Sequence, residues 1–183
     1  KETMQPWNTQ QVEKALEARF DTDEFALFWQ VANATGYQAC RWCDALVMSL
    51  WPSRGLHLTG FEIKVSRSDW IKELKTPKKA ETLAQYCDFW YIVAGSDSIV
   101  QDGELPVNWG LMVPRKDGKL YIVKQAAQLK PRPLTKEIIA SIFRRGQDRF
   151  NRKKEWLVNN ARTKAFDDGR ASVTGSLRTD NEN

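Results

Sequence analysis

The sequence predicts an α/β protein: an αβββαβ core with a mixed central sheet flanked by helices, followed by a hairpin and a long basic helix. Three observations lead there. Apolar residues recur every four positions over residues 10–20, alternate with a period of two through Phe61, Ile63 and Val65, and return to helical spacing from about Ser68. The stretch "FWYIVA" at 89–94 is apolar or aromatic throughout, as a strand buried on both faces would be. A chain of 183 residues with 42% hydrophobic content is long enough for one real core and short for two.

In "QQVEKALEARF", Val12, Leu16 and Phe20 line one face of an amphipathic helix, with Thr9 as the expected N-cap. "EFALFWQVAN" is the first strand. Gly36 and Tyr37 turn the chain into a second, "RWCDALVMSLW", and "WPSRG" at 51–55 turns it again into a third, "LHLTGFEIKVS". Ser68 or Asp69 can cap a helix through "DWIKELK", and Pro77, in its favoured first-turn place, restarts helix in "PKKAETLAQYC". "NWGLMVPRKDGKLYIV" reads as a hairpin around Asp117-Gly118. From Thr135 a helix continues to about Ala165. The last residues, "FDDGRASVTGSLRTDNEN", lack apolar mass and are expected to be disordered. The expected organisation is therefore a sheet domain over 1–130, a basic helical extension packed on or beside it over 131–166, and a tail over 167–183.

Composition removes several classes of function. No run of about 18 apolar residues exists, so no membrane span is expected, and the start shows no basic-then-apolar leader pattern. Three cysteines fit a reducing, cytoplasmic setting better than a disulfide framework. Cys40, Cys43, Cys87 and His57 can be drawn as a zinc site, but the Cys-x-x-Cys pair lies at a strand and not on a knuckle turn. No phosphate-binding glycine loop is present. The net charge is +5, yet residues 130–164 hold eleven Lys and Arg against Glu137, Asp148 and Glu155. A basic arm on a near-neutral body points to a polyanion, most simply DNA; a solvated helix face is the plain alternative. Trp51, Trp70, Trp90 and Trp109 read as core rather than as stacking platforms for bases.

The chemistry concentrates on "GFEIKVSRSDW" at 60–70. Phe61, Ile63 and Val65 anchor one face of the strand, so Glu62 and Lys64 share the other. Asp44 is the only charged residue between Arg41 and Arg54, in an otherwise apolar strand, where an unpaired carboxylate is costly. If the turn at 51–55 makes these strands neighbours, Asp44 and Glu62 converge, and each disfavours ionisation of the other. A divalent cation removes that conflict: Mg²⁺, with Mn²⁺ as a substitute, takes hard oxygen donors such as two carboxylates and the Ile63 carbonyl. Lys64 then faces the attacking water or the scissile phosphate.

Asp44 followed by Glu62-Ile63-Lys64, in the order helix, Asp strand, Glu-x-Lys strand, helix, resembles the PD-(D/E)XK nuclease superfamily. Within it, the stretch from "CDALVM" through "SRSDW" to "YCDFWYIVAG" is similar to small phage and bacterial proteins of the MmcB-like DNA-repair branch; the resemblance covers about residues 10–95. It implies a restriction-endonuclease-like fold and a Mg²⁺-dependent deoxyribonuclease of phage DNA metabolism or repair. Asp44 and Glu62 match its metal-binding pair and Lys64 its catalytic lysine. Glu17 matches a helix glutamate that some members add, and Gln85 a polar residue that some place toward the site. Cys43 stands where a proline is frequent. Gln30 is uncharged, and Asp21, Asp23 and Glu24 precede the strand, which argues against a second metal. Arg54, Arg67, Lys78 and Lys79 are the expected phosphate contacts around the site, joined by Arg144, Arg145 and Arg149 on the basic helix. A homodimer and replication or repair proteins are in keeping with the relatives, as is the host cytosol for a phage product. The alternative is a DNA-binding, repair-accessory module on the same fold that does not cleave.

Overall fold

The computed structural model describes residues 5–20, 23–76 and 78–179, with the side chains of 78, 79 and 167–179 outside that description. The first helix, α1 (Thr9–Phe20), opens on a reciprocal capping box. Asn8 Oδ1 accepts from the Gln11 amide, and Gln11 Oε1 accepts from the Asn8 amide, each at 3.0 Å. Asn8, not Thr9, is therefore the cap. Val12 and Leu16 are fully buried, as their spacing requires.

Three strands follow: β1 (Phe25–Ala32), β2 (Trp42–Ser49) and β3 (Leu58–Lys64). They form an antiparallel meander, with Phe25 opposite Ser49 and Ala45 opposite Phe61. Two helices, α2 (Arg67–Lys75) and α3 (Lys78–Ala84), lead to β4 (Phe89–Ala94), which pairs parallel to β3. Ser66 caps α2, accepting from the Asp69 amide at 3.2 Å; the expected caps, Ser68 and Asp69, lie inside the helix. β5 (Gly110–Pro114) lies parallel to β4 and closes a hairpin with β6 (Leu120–Lys124). Among the described residues the six strands form one mixed sheet in sequence order.

The sheet has a hydrophobic cluster on each face, which makes three layers. Val12 and Leu16 of α1 pack with Leu27, Ala45, Val47, Phe61, Tyr91 and Val93 on one side. Trp70 of α2 and Leu83 of α3 pack with Leu46, Leu58, Trp90 and Ile92 on the other. β4 is buried on both faces, as its unbroken apolar run predicts.

The last helix, α4, runs Lys136–Thr179. The chain divides into two compact units, Lys1–Arg145 and Gly146–Asn183. The first unit thus reaches past the expected boundary at 130, because the opening turns of α4 pack in it. Ile138 and Ser141 are buried, and Ser141 Oγ accepts from the Ala32 amide at 3.2 Å. The helix also continues past the expected stop near Ala165. No proline follows to end it, and Gly169 and Gly175 cost only about 1 kcal/mol each in a helix. Among the described residues no helix is long and apolar enough to cross a membrane.

Candidate active site

The antiparallel pairing of β2 and β3 ends at Ala45 opposite Phe61, and Asp44 and Glu62 are the next residue on each strand. Asp44 Oδ2 accepts from the Ile63 amide at 2.8 Å, and Asp44 Oδ1 accepts from Gln30 Nε2 at 3.1 Å. Both carboxylate oxygens are therefore held. In a strand a residue's N–H and C=O point to the same side, so the Ile63 carbonyl shares the edge at which Asp44 sits.

Asp44 reaches this position because the sheet turns over beside it. Leu27 and Trp29 of β1 face α1, but Val31 packs in the opposite cluster. On β2, Ala45 and Val47 face α1 and Cys43 does not. Between them Gln30 adopts φ 52, a left-handed conformation that a side chain disfavours, and the pairing passes from Trp29–Ala45 to Val31–Cys43 without it. The Gln30 carbonyl accepts from Arg145 Nε at 2.8 Å. Strained residues of this kind cluster where geometry is needed for chemistry.

Lys64 is buried, with 9% of its surface exposed. Its ammonium donates to Glu62 Oε1 at 2.9 Å and pairs with Glu73 Oε2, from α2, at 3.0 Å. Burial pushes the Glu62 carboxyl up to about 7, and the Asp44 charge adds to this against the opposing pull of Lys64. Burial alone would lower the Lys64 ammonium; Glu62 and Glu73 outweigh it and hold the group above its ordinary value. Glu13 on α1 is also raised, first by burial and then by Asp44 and Glu17.

The other expected residues divide. Glu17 lies exposed one turn beyond Glu13 and accepts from Trp29 Nε1 at 3.1 Å, which places it on the rim of the Asp44 side. Gln85 does not reach the site. It precedes Asp88, whose amide bonds Leu58 at the start of β3, and its side chain donates to the Thr82 carbonyl at 2.9 Å. Arg54 is likewise at the wrong end. The β2–β3 turn adjoins Ser49, five residues from Asp44 and on the order of 16 Å away at about 3.3 Å per residue, and Arg54 binds Glu24 Oε1 at 2.7 Å. Arg67 is close in sequence to Lys64 but is clasped by the Glu104 carboxylate and the Ile99 carbonyl. Arg145 serves Gln30, while Arg144 and Arg149 are exposed on α4. The side chains of Lys78 and Lys79 lie outside the described residues.

Sequence reading missed Glu73, Glu13 and Gln30. Glu73 sits between the inward residues Trp70 and Leu74 of α2, and Glu13 beside the buried Val12, so both border a core stripe. That position marks a carboxylate as half-buried.

As a donor set for a cation, Asp44, Glu62 and the Ile63 carbonyl are hard oxygens and fit Mg²⁺ completed by waters. Among the described residues no group of three His, Cys, Asp or Glu side chains is arranged for a metal. The Cys43 and Cys87 thiols are pushed well up and up to about 12, both chiefly by burial, so neither is a ready thiolate.

No family model matches this chain, and no curated protein matches it. Among solved structures, the SPO1766 protein of unknown function from Silicibacter pomeroyi is similar: the TM-score is 0.55 over 84% of this chain and 92% of that chain, at 19% identity. At that identity the likeness speaks for the fold, an α/β architecture with a six-stranded mixed sheet between helices and a C-terminal helix.

Proposed function

We propose that the chain is a metal-dependent nuclease that hydrolyses DNA phosphodiester bonds, in phage DNA metabolism or DNA repair. The observation that carries the reading is that Asp44, the Glu62–Lys64 pair and the Ile63 backbone lie together where the β2–β3 pairing ends, withdrawn from solvent and braced by Gln30 of β1 and Glu73 of α2. Asp44 and Glu62, with the Ile63 carbonyl, would hold Mg²⁺ or Mn²⁺, which when bound supplies positive charge and a more acidic water.

The residues then have separable tasks. Asp44 has two of its acceptor positions filled by Ile63 and Gln30, which fixes the direction of the rest. Glu62 binds a proton unusually tightly in the free protein, so cation binding displaces that proton near neutral pH. Lys64 has three N–H donors, and two meet Glu62 and Glu73. The third is available to a phosphate oxygen or the attacking water, where it offsets the charge that develops in phosphoryl transfer. Arg144 and Arg149 on α4 would contact the DNA backbone, which makes affinity fall with salt. The three cysteines are all free thiols, which supports a reducing compartment.

One observation favours a second reading. Lys64 is already saturated on two sides by carboxylates, as a purely structural ion cluster would be. On that reading the chain is a DNA-binding repair accessory that does not cut. Calorimetric titration of MnCl₂ into wild type, Asp44→Ala and Glu62→Ala separates the two. The nuclease reading expects one site in wild type, lost in both variants, with proton release on binding. No binding to the wild type at millimolar Mn²⁺ would favour the accessory.

A further inference from the structure

Residues 149–166 of α4 carry an unusual surface: every side chain there is exposed, including Phe150 (68%), Trp156 (61%), Leu157 (52%) and Phe166 (64%). Interleaved with them are Arg149, Arg152, Lys153, Lys154, Arg162 and Lys164, against Glu155 alone. Phe150 and Trp156, exposed among these cations, point to an occupant that accepts both rings and positive charge.

We infer that this segment is a binding surface for single-stranded DNA, with bases stacked on Phe150 and Trp156 and phosphates held by the neighbouring cations. The choice of DNA rests on the nuclease reading; the choice of a single strand rests on the helix. Each aromatic has a cation one turn away: Lys153 and Lys154 for Phe150, Arg152 and Lys153 for Trp156, Arg162 for Phe166. That juxtaposes a stacking platform and a phosphate contact, the pairing that single-strand binders use. A duplex hides its base faces and would leave the rings idle.

The arrangement fits other occupants less well. At 3.6 residues per turn, Trp156 lies about 120° and Phe166 about 160° around the axis from Phe150. A helix lying on a lipid surface, or packing on another helix, keeps its apolar residues on one face. Phe143 and Leu157 share the Phe150 face, but Val158, Trp156 and Phe166 lie about 80° or more around the axis from it, so the exposed apolar residues are not gathered into one stripe. A second copy would also bring six cations against six, with little acidic surface to offset them. A flexible strand of unpaired bases can use rings that point in different directions.

The test measures anisotropy of labelled oligo(dT) and of a hairpin duplex with the full chain in EDTA, where cutting is suppressed. Phe150→Ala and Trp156→Ala are each expected to weaken oligo(dT) binding roughly tenfold and duplex binding less than about twofold, with the salt slope kept. Trp156→Leu keeps apolar bulk and helix propensity but has no ring, so it is expected to behave like Trp156→Ala. Leucine restoring wild-type binding would overturn stacking in favour of plain apolar docking. Equal loss on duplex and oligo(dT), no loss on either, or Trp156-dependent binding to phosphatidylserine vesicles would also overturn the inference, as would dimers dissociated by Phe150→Ala. A chain that shows these ring-dependent effects but cuts no DNA supports the inference and ends the nuclease reading. A chain that cuts DNA with no ring-dependent preference for single strands ends the inference alone.

Discussion

Gln30 keeps a left-handed backbone inside a strand, a conformation that costs a residue with a Cβ about 1–2 kcal/mol, and its amide holds Asp44. Gln30→Gly relieves the strain and removes the hydrogen bond. The expected outcome is a protein as stable as wild type to within about 1 kcal/mol and at least tenfold weaker in metal-dependent cutting; thermal melts and cleavage rates check both. Glu62 offers a second test through its pKa near 7. A carboxyl raised in the folded state above its unfolded value contributes stability at pH below the unfolded pKa of 4.5, and loses it as pH rises through 7. Glu62→Gln removes that cost, so melting temperature is expected to rise at pH 8 and to change little near pH 4.5. An equal shift at both pH values would show that packing, not ionisation, is responsible. Asp44, Glu62 and Lys64 were legible in the sequence because each is a charge among apolar neighbours in a strand. Gln30 was not, since a positive φ leaves no mark in a sequence when the residue is not glycine, and its uncharged amide reads as mere absence of a ligand.

Element geometry explains which neighbours of the site were misjudged. Arg54 lies in the turn between Asp44 and Glu62, but strands are extended and that turn is at the far end of β2 and β3; Gln85, on the helix after β3, comes back to the same far end, just before Asp88 meets Leu58. Glu73 was missed for the converse reason: a helix brings a residue nine positions on back to Lys64. The segment between β4 and β5 is pinned by Glu104, which binds Arg67, Trp70 Nε1 and the Gln101 amide. Arg67 first, then the Gln101 amide, hold the Glu104 carboxyl down at about 2. Because this carboxyl is depressed from an ordinary 4.5, its contribution is full above 4.5 and is lost as pH falls toward 2. The melting difference between wild type and Glu104→Gln should therefore be constant at neutral pH and vanish near pH 2; a difference that persists there would contradict the ion-pair account. Gly60, on β3 two residues before Glu62, has a packing role. A Cβ there would meet the Trp90 ring at 2.2 Å, and Trp90 is fully buried. Gly60→Ala is expected to destabilise the fold by about 1–3 kcal/mol or more, measured by urea unfolding.

For the whole molecule, hydrophobic periodicity carried most of the fold. The meander, the doubly buried β4, the β5–β6 hairpin and the basic helix follow from patterns that survive without tertiary information. What periodicity could not convey was how the parallel β4–β5 pair forms across a segment without a helix, or that α4 opens inside the first unit through Ser141 and Arg145. Function rests on the site and not on the fold, which hosts more than one activity in principle. The most direct test is cleavage of plasmid and oligonucleotide DNA by wild type and Glu62→Ala, each with Mg²⁺, Mn²⁺ or EDTA. The account predicts cutting by wild type with either metal, none in EDTA, and a loss of at least about a hundredfold in the variant. Intact, salt-sensitive DNA binding with no cutting on any DNA form would contradict it, as would cutting that Glu62→Ala leaves unchanged.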